Sequence, residues 1–253
     1  MFGFFKKSTE AAENSAIDDA VLRLAANQGV AKAQYDLGEC YATGQGVRRD
    51  YAEAVKWVRK AAEQNYALAQ FRLGVCYYNG QGVAKNFVEA VKWYRKAAEL
   101  GNANAHCCLG YCYDQGEGVP QDHAEATNWF RKAADQGDAV AQRNLGKCYY
   151  DGKGVAVNFA EAAKWYHKAA DQGLVDAAND LAICYFTGNG VSKDLVEAAK
   201  WFNLASAQGH APASRNLSKI KQKMTPEQIA EAQRLSREFK PHTESASANS
   251  SSP

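Results

Sequence analysis

Residues 31–64 read AKAQYDLGECYATGQGVRRDYAEAVKWVRKAAEQ, and residues 67–100 read ALAQFRLGVCYYNGQGVAKNFVEAVKWYRKAAEL. The two stretches align without a gap at a step of 36 residues. The step persists along the chain. Leu37-Gly38 returns at Leu73-Gly74, Leu109-Gly110 and Leu145-Gly146, then in degraded form at Leu181-Ala182 and Leu217-Ser218. All five tryptophans, Trp57, Trp93, Trp129, Trp165 and Trp201, keep the same step. A fixed period of this size is the signature of a solenoid, in which each unit buries its apolar face by stacking on its neighbours.

Each unit reads as two helices. Ala31 to Thr43 (helix A) carries Ala33, Leu37, Cys40 and Tyr41 at helical spacing. Gly44-Gln45-Gly46-Val47 breaks it. Asp50 to Gln64 (helix B) places Tyr51, Ala54, Val55, Val58, Ala61 and Ala62 on one broad face. Asp50 followed three residues later by Glu53 predicts a reciprocal cap, and the pairing recurs as Asn86/Glu89, Asp122/Glu125, Asn158/Glu161 and Asp194/Glu197. Helix B is expected to stop near Asn65, Gly101, Gly137, Gly173 and Gly209, residues that tolerate a left-handed backbone. Gly38 and its equivalents lie inside helix A, where glycine costs about 1 kcal/mol relative to alanine, so close helix approach is the expected return.

The ends differ from the middle. Ser15 to Gln28 matches only a helix B, with Ala25-Ala26 in the place of Ala61-Ala62. After a sixth helix A the Gly-x-Gly-Val turn is missing, and Thr225-Pro226-Glu227-Gln228 starts a last helix that runs to about Phe239. The expected division is a disordered segment 1–14, a half repeat 15–29, five full repeats 30–209, a divergent pair 210–240 and a disordered serine-rich tail 241–253.

Bulk composition excludes several classes. The formal net charge is +2, which gives no general attraction to nucleic acid or an anionic membrane. No run approaches the ~20 apolar residues of a membrane span. Met1-Phe2-Gly3-Phe4-Phe5-Lys6-Lys7 has the apolar and charged parts of a signal peptide in reversed order. Seven cysteines cannot all pair within one chain. A protein of the cytoplasm, monomeric and without membrane insertion, is the expectation. No cofactor is expected.

The repeated residues resemble the Sel-one-like repeat family, relatives of tetratricopeptide repeats. The pattern that carries the resemblance is Ala33, Leu37-Gly38, Tyr41, Gly44-x-Gly46-Val47, Asp50, Ala54, Trp57 and Lys60-Ala61-Ala62. The resemblance implies an all-α fold, a right-handed superhelix of antiparallel helix pairs with about 13 helices in all. It also implies an adaptor or scaffold for proteins or peptides, with helix A lining a concave groove. One cysteine-rich bacterial subfamily staples each hairpin with a disulfide and is linked to β-lactam binding or hydrolysis. Here each unit has one periodic cysteine (Cys40, Cys76, Cys112, Cys148, Cys184) plus Cys107 and Cys108, so that pattern of two per hairpin is absent.

Function belongs where the repeats disagree. By the resemblance, the groove takes the helix A residues two before and two after Leu37, and those five or six after it. The partner-binding set is Tyr35, Glu39, Phe71, Val75, Tyr78, Tyr111, Asp114, Arg143, Lys147, Tyr150, Asn179, Ile183 and Phe186. Aromatic rings with scattered charge suit a protein interface. Packing against the next repeat is the competing reading for Tyr78, Tyr150 and Phe186, whereas Phe71 and Val75 are expected at the surface. Arg143 and Lys147, one turn apart, are placed to meet a carboxylate.

No catalytic residues are assigned. The Gly-x-Gly-Val turns follow no strand and recur five times, which argues against a phosphate loop. His106 does not share a helix face with Cys108 and Cys112, so no metal site is expected from them. The basic row of helix B, Lys56, Arg59 and Lys60, alternates with Glu53 and Glu63 and reads as a solvated face. The alternatives to a binding module are a hydrolase of β-lactams, by family association, and a structural spacer that self-associates through its ends.

Overall fold

The computed structural model describes residues 20–242 and contains, among them, thirteen helices and no strand. Helix α1 has its described part at residues 20–27. The A helices are α2 (Ala31–Thr43), α4 (Ala67–Asn79), α6 (Ala103–Gln115), α8 (Ala139–Asp151), α10 (Val175–Thr187) and α12 (Ala211–Lys221). The B helices are α3 (Tyr51–Glu63), α5 (Phe87–Glu99), α7 (His123–Asp135), α9 (Phe159–Asp171), α11 (Leu195–Ala207) and α13 (Pro226–Glu238). The segment 1–14, residues 15–19 of the half unit and the tail beyond residue 242 lie outside the described residues. No helix among the described residues is long and apolar enough to cross a membrane.

The chain forms two compact units that divide between Gln121 and Asp122. The first holds α1 to α6 and the second α7 to α13. From α2 to α6 and from α7 to α12 each helix packs on the one before it, so that A and B helices alternate along the stack, and α13 packs on α11.

The B helices start at the expected capping residues, with one correction. The Asp50 side chain accepts from the N–H groups of Ala52 (2.9 Å) and Glu53 (3.1 Å). Asp122 and Asp194 do the same for α7 and α11, and Asn86 and Asn158 each accept from one N–H. The expected bond from the glutamate back to the cap's own N–H is replaced by another. The Asp50 N–H donates to the Tyr41 carbonyl at 2.9 Å, and the same bond joins Asn86 to Tyr77, Asn158 to Tyr149 and Asp194 to Tyr185. This bond closes the hairpin between an A helix and its B helix, and it uses the donor that the glutamate would need. Glu53, Glu89, Glu161 and Glu197 turn instead to Lys56, Lys92, Lys164 and Lys200. Among the described residues the full reciprocal box forms at Thr225 with Gln228.

The glycines separate by role. Inside the A helices, a Cβ on Gly38 would lie 2.6 Å from Val58, and on Gly74 and Gly146 it would lie 2.6 and 2.8 Å from the rings of Tyr94 and Tyr166. The A helix thus sits directly against a side chain of its B helix. In the turns, the second glycine is pressed onto the preceding unit. A Cβ on Gly82 would meet the Tyr51 carbonyl oxygen at 2.0 Å, on Gly118 that of Phe87 at 2.3 Å, on Gly154 that of His123 at 2.0 Å and on Gly190 that of Phe159 at 2.0 Å. The B helices stop as expected, at Asn65, Gly101, Gly137, Gly173 and Gly209, all with positive φ.

Two polar devices recur between neighbouring units. Arg59, Arg95 and Arg131 donate to the hydroxyls of Tyr77, Tyr113 and Tyr149 at 2.8, 2.7 and 2.8 Å. Arg59 thus leaves the solvated row expected of helix B and reaches across to the next A helix. Buried Gln34, Gln70 and Gln142 donate to the carbonyls of Ala26, Ala62 and Ala134 on the preceding B helix. His106 occupies the same buried column, 72 residues after Gln34.

Candidate functional site

In the first unit the A helices α2, α4 and α6 lie side by side. Glu39 of α2 accepts from Arg72 of α4 at 2.7 Å, and the ring of Tyr78 on α4 meets that of Tyr111 on α6 edge-on at 6.5 Å. Tyr78 also packs edge-on to Phe87 at 5.1 Å and donates its hydroxyl to Glu117 at 2.5 Å. Burial, reinforced by the Glu117 carboxylate, pushes the Tyr78 hydroxyl well above its ordinary range, so it stays a donor. Tyr35 is half-buried against Tyr66, with ring centres 5.5 Å apart. Phe71 and Val75 are half-buried rather than open, and the Phe71 ring leans on Tyr94 at 6.0 Å. Asp114 is half-buried and accepts from the Gln115 amide at 2.6 Å. Tyr111 is the most open of the expected residues here, at 46% exposure.

In the second unit Arg143 joins α8 to α10. Its guanidinium donates to Asp180 at 2.8 Å and Asp176 at 2.9 Å. Burial works against its charge, yet the two carboxylates outweigh that and hold it above the ordinary arginine value. The carboxylate expected of a partner is therefore already supplied from within the fold. Asp176 also meets the His210 ring at 3.2 Å. Lys147, one turn on, is exposed. The Tyr150 ring packs edge-on to Phe159 at 5.0 Å, and its hydroxyl accepts from Asn189 at 3.0 Å. Tyr78 and Tyr150 thus both reach forward to the turn of the next unit.

Asn179 departs from the expected groove set. It is buried at 8% exposure. Ile183 and Phe186 are half-buried and line clefts. One cleft, of about 380 Å³, is walled by Arg143, Lys147, Tyr150, Tyr166, Asp180 and Ile183. Another, of about 530 Å³, runs from Ile183 and Phe186 across Phe202 to α12. The two share Ile183, so this side chain forms the divide between them. Five of the six expected residues of this unit therefore meet at two adjoining clefts. Asp176, Asp180 and the α12 side chains were missed by sequence reasoning. The α12 side chains carry a signal in their charge, four cations with no acid from Ala211 to Lys223.

Other motifs become scaffold. Cys76, Cys112, Cys148 and Cys184 are buried, and burial pushes the Cys112 and Cys184 thiols up to about 12. None of the seven cysteines, all among the described residues, is in a disulfide. Among the described residues no group of three or more His, Cys, Asp or Glu side chains is placed to hold a metal ion. Lys60, Lys96, Lys132 and Lys168 lie over the rings of Trp57, Trp93, Trp129 and Trp165 at 4.0 to 4.2 Å, a contact internal to each B helix.

Comparison with known proteins gives this scaffold relatives. Residues 31–66, 67–102, 103–138, 139–174 and 175–210 each match the family described as the Sel1 repeat. Among solved structures, c5321, described as a protective antigen present in uropathogenic Escherichia coli strains displaying an SLR fold, is 38% identical with a TM-score of 0.78. The match covers 86% of this chain and 48% of that one, so the chain spans about half the length of c5321. A Sel1 repeat protein from Oxalobacter formigenes is 33% identical with a TM-score of 0.72, over 83% of this chain and 88% of its own. No curated protein matches the chain significantly. Sel1 repeat proteins generally mediate protein–protein interaction, and the family is generally a repeat scaffold without enzymatic activity. With five consecutive repeats in register and the helix pairs that they build, the chain belongs to the Sel1 repeat family.

Proposed function

We propose that the protein is an adaptor or scaffold that holds a peptide or protein partner on the face formed by its A helices. One observation carries this reading. On the A helices the alanine, leucine and glycine positions that repeat are buried, whereas those that change from repeat to repeat include partly open rings and charges. Aromatic and charged side chains around concave surface are what protein interfaces use. The B helices offer less, since their lysines pair with glutamates one turn back or lie over tryptophans.

The hydrolase alternative gains nothing from the clefts. Ser214 and His210 are neighbours, but the serine hydroxyl lies between the Ser206 hydroxyl at 2.7 Å and the His210 carbonyl at 3.3 Å. The two ring nitrogens of His210 are engaged by the Ala213 N–H and by Asp176. Neither partner of the Ser214 hydroxyl is a ring nitrogen of His210, so the pair does not have the nucleophile–base geometry of a hydrolase.

Affinity capture tests the binding reading. A Tyr111→Ala, Lys147→Glu double variant changes two exposed A-face residues and removes one contact between helices, the edge-on meeting of Tyr111 with Tyr78. It is expected to lose partners that the wild-type chain retains, whereas Lys56→Glu on the B face keeps them. Equal recovery by all three contradicts the assignment.

A further inference from the structure

The A helices of the second unit end in the larger of the two clefts, between α10 and α12. Its floor is apolar, built by Ile183, Phe186 and the fully buried Phe202. Its rim on the α12 side is polar and cationic, with Asn216, Lys219, Gln222 and Lys223. Lys223 and Lys193 approach the Phe186 ring at 5.3 and 6.0 Å. No carboxylate lines the cleft.

This charge is local. The stretch from Ala211 to Lys223 holds Arg215, Lys219, Lys221 and Lys223 and no acid. The whole chain carries +2, so the remainder carries 2 − 4 = −2. A cation in the last turn suits the negative end of a helix, but four exceed that need. On the B helices four lysines are paired with a glutamate three residues back, Lys56 with Glu53, Lys92 with Glu89, Lys164 with Glu161 and Lys200 with Glu197. On α12 the corresponding places before Lys219 and Lys223 hold Asn216 and Ile220. Both lysines are exposed at the cleft mouth.

We infer that this cleft receives an acidic amphipathic segment of a partner protein, resting on the reading of the A face as the binding face. An aliphatic or aromatic side chain of the segment sits on Ile183 and Phe186, above the buried Phe202, and carboxylates on either side of it meet Lys219 and Lys223. A negative patch is steered by the cations, and the apolar floor selects what lies between the charges. A nucleic acid would use the lysines and leave the floor empty.

The test is fluorescence anisotropy on the full chain with a short labelled peptide of one leucine flanked on each side by glutamates. Its counterparts replace the leucine by glycine or the glutamates by lysine, and a single-stranded oligonucleotide is the fourth probe. The expected result is binding of the glutamate–leucine peptide that weakens with added salt. Affinity drops by about tenfold or more for the glycine and lysine peptides and for a Lys219→Glu, Lys223→Glu variant. A Lys219→Gln, Lys223→Gln variant, which removes charge without adding any, is expected to fall between. Failure of every peptide to bind, indifference to the charge reversal, or tighter binding of the oligonucleotide overturns the proposal. The Tyr111→Ala, Lys147→Glu variant leaves this cleft unchanged. If it loses partners in capture while the peptide fails here, the A-face reading stands and the cleft assignment alone falls.

Discussion

A methyl group added to Gly154 would sit 2.0 Å from the carbonyl oxygen of His123, whereas one added to Gly209 would meet nothing within 4 Å. Both glycines have positive φ, 69° and 84°. Gly209→Ala therefore pays only backbone strain, about 1–2 kcal/mol. Gly154→Ala adds a clash with backbone that cannot rotate away, and the expected cost is about 3 kcal/mol or more. Urea unfolding midpoints of the two variants check this, and equal shifts contradict it. That Gly44-x-Gly46 and its repeats form turns was legible from the residues alone. Why the second glycine recurs was not, because its neighbour is a carbonyl oxygen 31 residues earlier, and a backbone contact leaves no mark on the residue that makes it. The arginine–tyrosine joints left a mark that went unread, since Arg59 and Tyr77, Arg95 and Tyr113, and Arg131 and Tyr149 are each 18 residues apart.

The helix boundaries followed from local chemistry, because caps and left-handed stops act on their own neighbours in sequence. The reciprocal cap failed for the opposite reason: the N–H of Asp50 is spent on Tyr41, and that partner belongs to another helix. Asp50→Ala removes the bonds to Ala52 and Glu53 and is expected to cost about 1 kcal/mol. Glu53→Ala removes only an exposed pair with Lys56 and a favourable dipole position, about 0.5 kcal/mol. Chemical denaturation of the single variants measures both. A Glu53→Ala cost equal to that of Asp50→Ala would restore the reciprocal box. Arg131→Met, which leaves the Tyr149 hydroxyl without its donor, is expected to cost about 1 kcal/mol, and no change would mean that the joint between α7 and α8 is ornamental.

At the scale of the whole molecule, small buried groups with raised proton affinity tie stability to alkaline pH. Burial raises the thiols of Cys76, Cys112 and Cys184 from an ordinary 9.0, the latter two to about 12. Burial likewise raises Tyr94 and Tyr166 from 10.0. The unfolded chain ionises first, so stability is intact below about pH 9 and is lost as pH rises toward about 12. Thermal melts at stepped pH are expected to fall steadily across that window. A Tm unchanged to pH 11 contradicts the burial of these groups.

The repeat made most conspicuous residues legible as scaffold, and it left the A-face columns as what remained. Of these, Tyr111 and Lys147 are open, Arg143 is committed to Asp176 and Asp180, and Asn179 is buried. Column position alone does not distinguish these fates, and for Arg143 the deciding side chains, Asp176 and Asp180, stand one repeat ahead. The central claim is that partners meet the A helices. Photo-crosslinking tests it most directly, with a benzophenone side chain placed in turn at Tyr111 and Phe186 on the A face and at Lys92 and Lys164 on the B face. The prediction is adducts to the same partner from Tyr111 or Phe186 and none from Lys92 or Lys164. Adducts confined to the B-face positions would contradict it.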